Sequence, residues 1–282
     1  MSGQNAGDKS IIKMVWNSKY RRDMKLLFRV VAYYGIRANI HTYMQKNISM
    51  NVPDYDIIYG LMNLKYYTKP SPSKPSTSPS QRGQRRGADI VNILRLIKRM
   101  SVSKYLDIGA GDGSVTAGVA AVLKLNRNNT HAVDQKLWIG KENKVQTYVD
   151  KRVTFSFISN NTIPYADGIF DLITIFQALH HFKNLNKMMS EVRRLCAPKG
   201  VVIIREHDAI DKYVKALVDL EHIMYGALSD GTPADEFISG YYGNYMPSGQ
   251  WDKIFDKYGF DVVYTKKKKN PTRYYYAAYI KR

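Results

Sequence analysis

Residues 89–282 predict a doubly wound α/β fold on a mostly parallel sheet, preceded by a basic, helical N-terminal extension. Three observations carry that expectation. From Ala88 onward, helical and strand patterns alternate along the chain. Within the alternation, Lys104 to Ser114 reads as a short apolar strand running into a turn with Gly109, Gly111 and Gly113, followed by a small-residue helical segment, Val115 to Leu125. Ahead of it the composition changes: Pro70, Pro72, Pro75 and Pro79 stand among serines, then come Arg82, Arg85 and Arg86. The expected organisation is therefore a basic helical region at 1–68, a Pro/Ser/Arg-rich linker at 69–88 and an α/β domain at 89–282.

Residues 1 to about 20 are polar and basic and read as a loose tail. Met24, Leu27, Val30, Val31 and Tyr34 recur at helical spacing, so a helix is expected over 23–36, closed around Gly35. Ile40, Tyr43 and Met44 mark a second helix, and 54–66 a third. The 69–88 stretch offers no large apolar side chain to bury and reads as a disordered or polyproline connector. Ile90, Ile93, Leu94 and Ile97 share one face of a helix over 90–100. The strand at Tyr105 follows, then His131–Asp134, Val153–Ile158 and Leu172–Phe176 as further strands. A helix over 184–195, a turn at 197–200, a strand at 201–204, a helix over 248–260 and strands at 261–263 and 274–280 complete the order.

The 282 residues are 44% hydrophobic, enough to build a core. Cys196 is the single cysteine, which excludes an intramolecular disulfide framework and a cysteine-built zinc site, and fits a reducing compartment, cytoplasmic or nuclear. There is no secretory h-region at the N-terminus and no apolar run near the ~18 residues of a membrane span. The net charge is +19, with 15 Lys/Arg against 4 Asp/Glu in residues 1–88 alone. A surface of that sign seeks polyanions, so nucleic acid is the expected partner, through the N-terminal region and linker. Oligomeric state has no signature in the sequence.

The glycine turn fits a dinucleotide fingerprint badly, because Ser114 stands where the third glycine would be. Asp107 and Asp112 disfavour a pyrophosphate and favour a cationic ligand. Asp134 ends the second strand about 25 residues past Gly109, where a carboxylate suits a ribose diol. Asp107, Gly109, Gly111 and Gly113 together resemble the first motif of the class I S-adenosylmethionine-dependent methyltransferases. The run Ile163-Pro-Tyr-Ala-Asp-Gly-Ile-Phe-Asp171, continuing through Leu172 to Ala178-Leu-His-His-Phe182, is similar to the type 11 subfamily. That resemblance implies a seven-stranded, Rossmann-like methyltransferase fold and S-adenosylmethionine as cofactor. It implies Asp107, Gly109 and Gln177 near the methionine moiety, Asp134 on the ribose, and Lys136 or Leu137 near the adenine. Where the family has an acid for the adenine amino group, this chain has Ser159-Asn160-Asn161; the Asn160 amide would accept that bond more weakly.

Candidate catalytic residues are His180 and His181 after the fourth strand and Glu206 and His207 at the end of the fifth, since the carboxyl ends of such strands face the ligand crevice. For acceptor binding the candidates are Asp208, His222, Tyr225, Tyr241, Tyr242 and Tyr245; the tyrosines offer flat faces for a base, or else pack the domain edge. Metal ligation by His207, Asp208 and His222 has no fixed geometry in the sequence, and no metal is expected. The Arg-Glu-His-Asp run at 205–208, followed by Glu221-His-x-x-Tyr225, resembles methyltransferase-like proteins of large DNA viruses. Cys196 lies away from the crevice, Gln177-Ala-Leu-His does not match the Asn/Asp-Pro-Pro-Tyr/Phe motif of exocyclic-amine enzymes, and no Lys-Asp-Lys-Glu register is present. The expected function is methyl transfer to RNA or another nucleic-acid-associated acceptor. The alternatives are a small-molecule or lipid methyltransferase, and a noncatalytic binding protein on the same fold.

Overall fold

The computed structural model describes residues 11–32, 39–63, 79–135, 150–223, 240–269 and 272–282. In chain order the elements are α1 (Ile11–Trp16), α2 (Arg21–Ala32), α3 (Asn39–Ser49), α4 (Asp54–Asn63), α5 (Pro79–Leu96), β1 (Tyr105–Ile108), α6 (Ser114–Leu123), β2 (Thr130–Asp134), β3 (Thr154–Phe157), β4 (Phe170–Phe176), α7 (Leu185–Leu195), β5 (Cys196–His207), α8 (Lys212–Ile223), α9 (Ser248–Lys257), β6 (Phe260–Lys268) and β7 (Tyr274–Lys281). They divide into two compact units. The described parts of 77–206, 248–267 and 275–282 make a sheet unit, and those of 1–76, 207–247 and 268–274 make a helical unit.

The seven strands run in the order β3-β2-β1-β4-β5-β7-β6, and the pairings from β3 through β5 are parallel. The chain moves outward from β1 to β3 and then returns to β1's other side as β4. Strand order therefore reverses between β1 and β4, and in open parallel sheets ligands bind outside the carboxyl ends at that reversal. Tyr105, Leu106 and Ile108 of β1 and Leu172, Ile173 and Ile175 of β4 are fully buried, the near-continuous apolar runs that a sheet covered on both faces requires. At the far edge, Trp251 of α9 is buried, the Phe255 ring stacks on Tyr279 of β7 at 3.9 Å, and Tyr279 Oη donates to Asp252 at 2.7 Å.

Two expected boundaries shift in this unit. Ala197–Gly200, read as a turn, is absorbed into β5 as a bulge: Phe170 pairs with Cys196 and Leu172 with Val201, so the four residues 197–200 oppose Asp171 alone, with Lys199 at φ 59°. The strand expected over 261–263 is longer, β6 running from Phe260 to Lys268 with Lys266 and Lys267 exposed within it.

The larger correction concerns the linker. Residues 79–88, expected as disordered or polyproline, are the first half of α5, which starts at Pro79 and ends at Leu96, before Met100. Proline suits a first helical position, where its missing N–H has no partner to lose. Gly83 and Gly87 sit on the α5 face turned to α6, where Gly118 meets them. A Cβ on Gly83 would lie 2.1 Å from the Ser114 carbonyl oxygen, and one on Gly118 would lie 2.1 Å from the Gly83 carbonyl carbon. Glycines that look like helix breakers in the sequence are what lets the two backbones touch.

The helical unit corrects the reading of 1–20 as a loose tail. Ile12, Val15, Trp16 and Tyr20 are buried; residues 1–10 lie outside the described residues, as does the end of the expected 23–36 helix at Gly35. The core draws on α1 to α4 (Val15, Met24, Leu27, Met44, Ile57) and on α8 (Val214, Leu217, Val218). Asp211 caps α8 by accepting from the Tyr213 and Val214 N–H groups at 2.9 Å each, and its other oxygen accepts from Tyr20 Oη at 2.6 Å. The N-terminal helices therefore share their core with a segment that follows β5. Among the described residues, no helix is long and apolar enough to cross a membrane.

Candidate active site

The site is built on the turn after β1. Gly109, Gly111 and Gly113 have φ of 72°, 56° and 73°, a region that side chains disfavour. At Gly109 there is also no space: a Cβ would sit 2.4 Å from the Ala178 Cβ, just beyond β4. Register levels the ends of β1 and β2 by pairing Ile108 with Val133, and the Gly109 and Ala110 N–H groups both donate to the Val133 carbonyl. Asp134 is thereby at hand, and its Oδ2 accepts from the Gly111 N–H at 2.8 Å. A carboxylate at the end of β2, tied to the turn, is the donor set expected for a ribose diol above a glycine-lined backbone.

The two acids of the turn have different tasks from those the sequence suggests. Asp107 is buried, and both oxygens accept from hydroxyls: Thr116 Oγ1 at 2.6 Å and Thr174 Oγ1 at 2.7 Å. Burial pushes its carboxyl up to about 6, against the two threonine donors. Asp107 thus pins β1 to α6 and β4 beneath the turn. Asp112 pairs with Arg82 of α5 and accepts from the Ser114 N–H and Oγ at the start of α6. Its charge is offset by Arg82, so the attraction for a cationic ligand inferred from two bare aspartates is reduced. The sequence reading missed Arg82, Thr116 and Thr174. A lone threonine inside the apolar strand Leu-Ile-Thr-Ile was the available signal, since a buried hydroxyl needs a partner.

At the carboxyl end of β4, Gln177 takes φ 53°, with its N–H donating to the Arg205 carbonyl at 2.6 Å. A left-handed glutamine at the switch point is backbone strain of the kind found at ligand sites. Asn160 and Asn161 have φ 50° and 56° between Ser159 and Thr162, which exchange N–H···O bonds, so Ser159–Thr162 is a tight turn with two left-handed central residues. Asparagine is one of the few residues with a side chain that tolerates that geometry. Asn160 is exposed, and its carbonyl accepts from Lys187 Nζ at 2.7 Å. Lys136 and Leu137 lie outside the described residues.

Glu206 and His180 form a buried pair. Glu206 Oε2 lies 2.6 Å from His180 Nδ1, and Oε1 accepts from the Leu179 N–H at 2.8 Å. Both side chains are 0–1% exposed, and His181, which is exposed, lays its ring against His180 at 4.1 Å. Burial, with His181 adding to it, holds the His180 ring well below the ordinary histidine range, that is, neutral. With Nδ1–H committed to Glu206, the neutral ring carries its lone pair on Nε2. A neutral ring oriented by a carboxylate can take up a proton.

Of the other candidates, His207, Asp208, His222, Tyr241, Tyr242 and Tyr245 belong to the helical unit. Consecutive residues on a strand point to opposite faces, so Glu206 and His207 leave β5 on opposite sides. His207 belongs to a cluster of the helical unit: its ring lies 5.5 Å from His222 and 5.9 Å from Tyr245, and Glu221 Oε2 is 4.0 Å from its Nε2. Tyr241 lies 5.6 Å from His222, and Tyr245 Oη is 3.3 Å from His222 Nδ1. Asp208 is buried, its N–H donating to the Arg273 carbonyl at 2.9 Å; Tyr242 is half-buried, and Tyr225 lies outside the described residues. Cys196 is buried at the start of β5, its thiol pushed up to about 12 by burial, which removes it as a nucleophile.

A parallel sheet reversing at β1 and β4, a glycine turn at that point and a carboxylate at the end of β2 define the class I S-adenosylmethionine-dependent methyltransferases. The chain belongs to the methyltransferase-domain family, whose model matches residues 82–265, beginning at Arg82 of α5. It is 25% identical over 131 residues to the methyltransferase GfsG of Streptomyces halstedii, covering 44% of this chain and 47% of that one. It is 24% identical over 97 residues to the 27-O-demethylrifamycin SV methyltransferase of Amycolatopsis mediterranei, covering 34% and 36%. The match thus spans less than half the length of either relative. Among solved structures, a Galdieria sulphuraria protein provisionally described as a sarcosine dimethylglycine methyltransferase superposes with a TM-score of 0.50 at 15% identity, over 70% of this chain and 85% of that one, a likeness of fold. S-adenosylmethionine is the cofactor of this class, and the turn and Asp134 fit it.

Proposed function

We propose that the protein moves a methyl group from S-adenosylmethionine to an acceptor on RNA or another nucleic-acid-associated molecule. The observation that carries the acceptor class is charge: +19 overall, with exposed Lys19, Arg21 and Arg22 in the helical unit and Lys266 and Lys267 on β6. The cofactor supplies an electrophilic methyl on a sulfonium. This chain's residues have to place the acceptor in line with it, exclude water and take up a proton. Asp134 would hold the ribose, and Gly109 and Gln177 the methionine end. His180 Nε2 would accept the acceptor's proton, with Glu206 stabilising the resulting imidazolium. The type 11 motif order and the viral resemblance of the 205–225 stretch belong to the same reading.

A small-molecule acceptor is the second reading, favoured by the substrate named for the Amycolatopsis relative. Incubation with methyl-labelled S-adenosylmethionine and separated RNA, DNA, lipid, protein and small-metabolite fractions tests both. Label in a nucleic-acid fraction supports the first reading. Label confined to the metabolites or lipid supports the second, and no transfer at all supports a noncatalytic protein.

A further inference from the structure

The helical unit contains a cavity of about 690 Å³ between the end of α1, the end of α3 and the first turn of α8. Its walls are of two kinds. Lys13, Asn17, Ser18 and Asn51 supply an ammonium, two amides and a hydroxyl, while Met14, Ile48, Val52 and Tyr213 supply an apolar and aromatic side. The polar wall is organised: Lys13 Nζ donates to Asn51 Oδ1, and Ser18 Oγ donates to the Val15 carbonyl at 2.8 Å while accepting from the Tyr20 N–H at 3.1 Å. Tyr213 is braced from behind by Tyr20, with ring centroids 5.8 Å apart. Among the described residues, no carboxylate lines the cavity. Nearby, Asp54 is engaged by the Ile12 N–H, and Asp211 by Tyr20 and the start of α8. Lys19, Arg21 and Arg22 are exposed at the α1–α2 turn that follows Ser18, and Lys212 precedes Tyr213.

We propose that this cavity binds a nucleotide. The volume lies within the ~300–1,000 Å³ of small-molecule sites. Amides that both donate and accept suit the edge of a heteroaromatic base, a tyrosine face suits its plane, and an ammonium with further cations close by suits its phosphate. A lipid headgroup would use the charge but leave the two amides without a matching edge. The choice of ligand rests on the nucleic-acid reading above, whereas the cavity belongs wholly to the helical unit. A nucleotide held here would give that unit a docking role separate from the cofactor turn.

The test uses the full chain. Binding of AMP, GMP, CMP, UMP and a single-stranded RNA of about ten residues is measured across a salt series, with S-adenosylmethionine titrated in parallel. Asn17→Asp, at an exposed position, should weaken nucleotide binding at least tenfold while melting temperature and cofactor affinity stay native. Lys13→Met should lower the salt slope for the RNA by about 0.7, the loss of one phosphate contact on a single strand. Binding of the mononucleotides alone would identify a free nucleotide as ligand, and binding of both would identify a strand. The proposal is overturned if the native chain binds no nucleotide, or if both variants, folded as the native protein, bind as tightly as it does. Should nucleotides bind while label goes only to metabolites or lipid, the cavity assignment stands and the acceptor reading falls; label in RNA with the variants binding undiminished gives the reverse.

Discussion

Glu206 holds the Nδ1 of His180 at 2.6 Å with neither side chain exposed to solvent, and it anchors the same loop through the Leu179 N–H. One carboxylate therefore sets both the tautomer of the ring and the position of the loop that carries it. If His180 accepts the acceptor's proton, Glu206→Gln and His180→Asn should each lower the rate of methyl transfer by about 10²–10⁴-fold while cofactor affinity is retained. The double variant should be little worse than either single one, because the residues act as a unit. Single-turnover transfer of labelled methyl reads both. Undiminished rates in folded variants would leave His180 as a packing residue.

Gly83 and Gly118 bring α5 and α6 into backbone contact. Gly83→Ala or Gly118→Ala must separate the helices and carry Arg82 away from Asp112. The expected destabilisation is about 1–3 kcal/mol or more, read by urea unfolding, accompanied by weaker cofactor binding. Gly249→Ala is the control, since nothing lies within 4 Å of a Cβ there, and it should leave both unchanged.

Asp107 makes stability depend on pH in a direction unusual for an aspartate. Burial raises its folded-state pKa from 3.8 to about 6, so between those values the folded protein holds a proton that the unfolded chain has lost. The group's contribution is greatest below pH 4 and is lost as pH rises through 6. Asp107→Asn should flatten that part of the profile, by an amount on the order of 2–3 kcal/mol between pH 4 and 8. Parallel slopes for the two proteins in urea unfolding would show that Asp107 is not the group responsible.

The sheet unit was legible because its strands are continuous apolar runs and its turn carries three glycines, signals that tertiary context reinforces. Asp134 could be placed from spacing alone. α5 could not, because proline, serine and glycine mark breaks by local propensity, and only contact with Gly118 makes Gly83 and Gly87 helical assets. The first helix was hidden for a related reason: Ile12, Val15 and Trp16 are few among polar neighbours, and their burial depends on partners some 200 residues away in α8. The run Glu206-His207-Asp208 looked like one constellation in sequence, whereas strand alternation sends its first two members to different faces.

Everything proposed for catalysis depends on the turn at 109–113 holding S-adenosylmethionine with Asp134 beside it. Calorimetric titration of the full chain with the cofactor tests this most directly. Saturable binding at one site is predicted, weakened at least tenfold by Asp134→Ala and unaffected by Asn17→Asp in the helical unit. Absence of binding by the native chain, or equal affinity in a folded Asp134→Ala variant, would contradict it.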